Sequence, residues 1–140
     1  MSRGVLFALL AGVCAGFVPI FGKMGVAGVS SSVATAIRSL VMFAVLAAVV
    51  AARGEVRAAG SLSRNALIGL VLSGLAGAAS WWFYFQALQL APVVQVAPLD
   101  RLSVVVSIAL AFLLLGERVS LNVLAGAGLM VAGGILVIRG

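Results

Sequence analysis

The chain has 140 residues, 64% of them hydrophobic and only 9% charged, and a mean hydropathy of +1.32, where soluble domains carry roughly 25% charged residues. That excludes a water-soluble core and predicts one small all-α membrane domain spanning residues 1–140. The +6 net charge comes from nine basic and three acidic residues, and the basic ones are scattered without forming a run, which argues against nucleic acid. One cysteine, Cys14, and no histidine leave no disulfide, zinc site or Ser-His-Asp triad, so neither a metal nor a cofactor is expected.

About 20 mostly apolar residues cross a bilayer, and five segments satisfy this. The first, Gly4 to Gly22, follows Arg3 and carries small residues from Ala11 to Gly16, as a signal peptide would. Its apolar run continues to Phe21, and Val13 before Cys14 suits a lipoprotein signal poorly, so it reads as a span. Ala8, Gly12 and Gly16 recur at every fourth position, Cys14 reads as inert packing, and Pro19 is expected to kink the helix.

The second span, Ser32 to Ala52, holds Arg38 about 9 Å beyond its start by helical rise, with Thr35 and Ser39 beside it. A polar loop from Arg53 to Arg64 comes next, with Glu55 and Arg57 inside it.

The third span, Asn65 to Leu90, repeats small residues at Gly69, Ser73 and Gly77 and ends in "SWWFYFQALQL". Trp81, Tyr84 and Leu88 share one face at i, i+3 and i+7. The aromatics begin about 24 Å along a helix of about 39 Å, deeper than an interfacial belt. Core or lipid packing and the lining of a cavity are both compatible with that depth.

The fourth span, Pro92 to Leu115, sets Asp100 beside Arg101, and two starts fit the sequence. A helix beginning at Pro98 places Asp100 at its amino end, where a carboxylate complements the dipole. A helix beginning at Pro92 places Asp100 about 12 Å deep. Pro98 then becomes a kink, and Asp100, Ser103 and Ser107 form one polar stripe. Glu117 and Arg118 read as solvated loop charges before the fifth span, Val119 to Ile138. There Gly126, Met130 and Gly134 alternate with Ala125, Leu129 and Gly133. These small-residue faces fit packing within the chain or contact with a second subunit.

Five crossings put the termini on opposite sides. Arg3, Arg53, Arg57, Arg64 and Arg118 fall on the amino-terminal side, against Arg139 and the embedded or border residues Lys23, Arg38 and Arg101. With the embedded bases discounted, the positive-inside rule puts the amino terminus in the cytoplasm; with them counted, the bias nearly vanishes. Ionised groups inside a span need a reason. Arg38 and Asp100 lie on helices entering from the same side, at similar depth for the longer fourth helix, so they are candidates for an interhelical clamp or a substrate or proton site.

The stretch "FYFQALQLAPVVQVAPLDRLSVVVSIALAFLLLGERVSLNVLAGAGLMVAGGILVI" resembles the carboxy-terminal part of an EamA-like domain of the drug/metabolite transporter superfamily. "LGER" at Leu115 to Arg118, the Gly-rich helix after it and "AIRSL" around Arg38 carry the likeness, which extends over essentially the whole chain. It implies one EamA-type inverted-repeat unit of the half-size, five-helix bacterial and archaeal branch, and a secondary transporter of the prokaryotic inner membrane. Larger members join two such units in opposite orientations. A single unit with an odd span count reproduces that arrangement only beside a partner turned upside down, either a second copy or an oppositely oriented homologous subunit.

On this reading the protein moves a small polar metabolite or drug by alternating access. Its solute site is lined by Arg38, Trp81, Tyr84 and Asp100, while Gly12, Gly16, Ser73, Gly77, Gly126 and Gly134 supply helix packing or the subunit interface. Lys23, Arg38 and Arg101 against Asp100 favour an anionic or zwitterionic solute. The rival reading is a noncatalytic membrane partner that stabilises or regulates another protein. An embedded enzyme has least to work with, since the acids lie 45 and 17 positions apart.

Overall fold

The computed structural model describes residues 2–139, which form helices joined by short turns. In chain order these are α1 (Arg3–Gly25), α2 (Ser31–Ala52), α3 (Val56–Ala59), α4 (Arg64–Leu90), α5 (Val93–Asp100), α6 (Ser103–Leu115) and α7 (Leu121–Arg139). Five crossings are long and apolar enough for a membrane: α1, α2, α4, α5 with α6, and α7. The all-α, five-span architecture expected from the sequence is therefore the one observed.

Serine sets where four of these crossings start. The hydroxyls of Ser2, Ser30, Ser63 and Ser120 accept from the backbone N–H three residues on, at 3.3, 3.4, 3.2 and 3.3 Å. Each satisfies one orphan donor in the first turn of an apolar helix. At the other end, Gly116 stops α6 with φ +66°, a left-handed conformation that glycine adopts without strain. The polar loop contains the single turn α3, beside an exposed Arg53–Glu55 ion pair at 3.8 Å. Within α1 the helix runs on past a buried Pro19 to Gly25.

The fourth crossing starts where the longer of the two readings puts it and departs from that reading only after Asp100. Its helix begins at Val93, directly after Pro92, and carries Pro98 inside it, but it breaks after Asp100. Four i→i−3 bonds tighten the break: Arg101 to Pro98, Leu102 to Leu99, Val104 to Arg101 and Val105 to Leu102, at 3.0–3.2 Å. Asp100 thus stands at the carboxy end of α5, opposite to the dipole-complementing position that a start at Pro98 gives it. The polar stripe of Asp100, Ser103 and Ser107 is interrupted between its first two members.

The chain divides into two compact units, one from Phe21 to Gln89 and the other formed by the described residues up to Ile20 with those from Leu90 onward. The first has its core at Val26, Tyr84, Phe85 and Leu88; the second has Val96, Ala127 and Gly134 buried. Most other large apolar side chains, such as Phe43 and Leu114, are exposed, as lipid-facing helices require.

Candidate functional site

Within the unit from Phe21 to Gln89, the start of α2 and the end of α4 are tied together by polar groups. The Trp82 indole donates to Ser32 Oγ at 2.9 Å. The Gln89 amide donates to Val29 O at 2.6 Å and to Val26 O at 3.4 Å, and the Lys23 ammonium donates to Leu88 O. These bonds close the end of α4 onto the α1–α2 loop, where Gly28 turns the chain with φ +74°. Between them lies a cleft of about 510 Å³ lined by Lys23, Val26, Ser30, Leu88 and Gln89.

Deeper in the same unit sits Arg38, seven residues into α2 and so about 10 Å along it. Its guanidinium lies over the Trp81 ring, with Cζ 3.4 Å from the centroid. Such a contact contributes about 0.5–1 kcal/mol when exposed and about 2 kcal/mol or more when desolvated. Trp81 in turn meets Tyr84 edge-on at 5.3 Å and Phe85 at 5.7 Å. Tyr84 is 9% exposed, Phe85 3% and Leu88 0%, so the platform beneath the cation has little room to turn. Thr35 donates back to Ser31 O at 2.7 Å, which satisfies its hydroxyl inside α2. Arg38 is half-buried, and none of its N–H groups has a hydrogen-bond acceptor or an ion-pair partner among the described residues.

Three of the four residues expected at a solute site therefore meet: Arg38, Trp81 and Tyr84. Asp100 belongs to the other unit, half-buried at the α5–α6 joint beside an exposed Arg101. The face of Trp81, Tyr84 and Leu88 turns inward, while Trp82 and Phe83 are exposed. Gln89 and Phe85 escape a reading of motifs, whereas Lys23 is legible there only as a border charge. Gln89 had one visible signal, an amide in the last turn of an apolar span.

The glycines separate into two kinds. A Cβ at Gly22 would meet Phe85 and Leu88 at 3.1 and 3.3 Å, and one at Gly134 would meet Leu102 at 3.2 Å. At Gly12, Gly16, Gly77 and Gly126 it would meet no described atom within 4 Å, and Ser73 is exposed.

Residues 2–139 match the EamA-like transporter family. A protein of Sinorhizobium sp., named an uncharacterized transporter in the cobO 3' region, is 41% identical over 137 residues, covering 97% of each chain. No solved structure matches. A family match over nearly the full length, on five apolar crossings, identifies the chain as a member of the EamA-like transporter family.

Proposed function

We propose that the protein is a small secondary transporter of the drug/metabolite type, which carries a small polar solute by alternating access as an antiparallel homodimer. The observation that carries this reading is the intramembrane Arg38 stacked on Trp81: a cation with free donors inside a span marks a pathway more often than a structural element. The odd number of crossings supports the antiparallel arrangement, because a second unit must be inverted to complete an inverted-repeat transporter. Asp100 at a broken span supports a role in the solute or proton site, since discontinuous helices form such sites in many transporters. An oppositely oriented homologous subunit serves as well as a second copy, and the setting is the prokaryotic inner membrane.

Counterflow in proteoliposomes tests the site. The Arg38→Gln, Asp100→Asn double variant is expected to lose flux, and full flux in that variant removes both residues from the mechanism. Tags at each terminus, probed from both membrane faces, test the arrangement: two populations agree with the antiparallel homodimer, and one contradicts it. The open faces at Gly12, Gly16, Gly77 and Gly126 also suit a noncatalytic partner subunit, which gives no flux alone and copurifies with another chain.

A further inference from the structure

We propose that the ligand of this site carries a carboxylate, gripped by the in-plane N–H edge of Arg38 while Trp81 covers one face of the guanidinium. This rests on the transporter reading for its physiological meaning, although the binding chemistry stands by itself.

A guanidinium presents five donors in one plane. Cζ lies over the Trp81 ring at 3.4 Å from its centroid, a separation that suits face-to-face stacking, and stacking of that kind covers a face and leaves the edge clear. No described residue accepts from that edge. Its fork geometry matches the two oxygens of a carboxylate.

Charge favours a single negative group. Between Phe21 and Gln89 the sequence has one acid, Glu55, which sits in the loop beyond the far end of α2. Nothing in this unit's membrane segments neutralises Arg38. A monoanionic carboxylate does so with Arg38 alone, whereas a phosphate dianion needs a second cation at the same point. The cleft at the same end of α2 is lined by Lys23, eight positions before Ser31, so a second cation stands at that end of the unit. A cationic solute meets repulsion at both places.

The test uses the Trp82→Phe chain, in which Trp81 becomes the only tryptophan, purified in detergent at pH 7. Its emission is titrated with benzoate and with benzamide, the uncharged analogue. Benzoate is expected to give a saturable change at concentrations about tenfold below those at which benzamide acts. Arg38→Gln should raise the benzoate requirement by about tenfold or more, and Arg38→Lys, which keeps the charge but lacks the fork, should fall between. Far-UV circular dichroism of each variant establishes that it is folded.

Equal responses to benzoate and benzamide, or an undiminished benzoate response in folded Arg38→Gln, overturn the proposal. So does a response that appears only after Asp100→Asn, which assigns the guanidinium to a carboxylate of the protein. Abolition of the benzoate response by added phosphatidylglycerol overturns it as well, in favour of a lipid phosphate. Counterflow separates this idea from the transporter reading. Arg38-dependent binding without flux keeps the carboxylate site and removes transport. Flux of a neutral or cationic solute that Arg38→Gln does not slow keeps transport and removes the carboxylate site.

Discussion

Gly22→Ala puts a methyl group against the core that supports Trp81. The new Cβ would lie 3.1 Å from Phe85 Cε1, 3.3 Å from Leu88 Cδ1 and 3.8 Å from Phe85 Cδ1, where comfortable carbon contacts are about 3.5–4.0 Å. Two of the three distances must therefore open by several tenths of an ångström. Neither neighbour has room, because Leu88 is 0% exposed and Phe85 is 3% exposed with its ring edge-on to Trp81. Overpacking of this kind costs about 1–3 kcal/mol. Alanine also gains up to about 1 kcal/mol of helix propensity. Gly16→Ala on the same helix meets no described atom within 4 Å and isolates that gain. The stability difference between the two variants is expected to be about 1–3 kcal/mol, read from equilibrium unfolding in mixed micelles of rising dodecyl sulfate fraction.

Leu88→Val should be better tolerated in the Gly22→Ala background than in the parent, since it removes the atom that sits 3.3 Å from the new methyl group. The Trp81 emission should shift in Gly22→Ala alone. Gly22→Ala and Gly16→Ala of equal stability, together with no coupling between positions 22 and 88, would refute the packing assigned to α1 against α4.

The polar ties and the caps give two further outcomes. Gln89→Leu removes the donor to Val29 O and Val26 O and should cost about 0.6 kcal/mol, the average for side-chain hydrogen bonds in membrane proteins, and at most about 1.7 kcal/mol; hydrogen exchange of the α1–α2 loop should quicken while that of α7 stays unchanged. Ser120→Ala frees the Val123 N–H and should cost about 0.5–2 kcal/mol, with faster exchange confined to the first turn of α7.

The spans were legible because hydropathy alone decides which segments leave water, and their serine starts add a local signal that a count of apolar residues passes over. Pro92 and Pro98 were harder. Either can open a helix, and the backbone downstream decides between them: the break after Asp100 is a tightening of backbone bonds that no residue type announces. The Trp81 face was visible as a spacing, but its partner was not, since periodicity describes one helix at a time. Depth was the usable clue. Arg38 lies about 10 Å from the start of α2 and Trp81 about 14 Å from the end of α4, measured from the same side, within reach of a long side chain. The small-residue repeats carried least, because spacing does not separate Gly134, which holds Leu102 close, from Gly126, which meets no described atom within 4 Å.

The joint at Arg101 and Leu102 has a mechanical consequence. Leu102 rests in the hollow left by Gly134, so the elbow of the split span is seated in a socket on α7. Bending there cannot stay local: the knuckle must either pivot within its notch or lever the last helix sideways, and a glycine is what keeps the first course open.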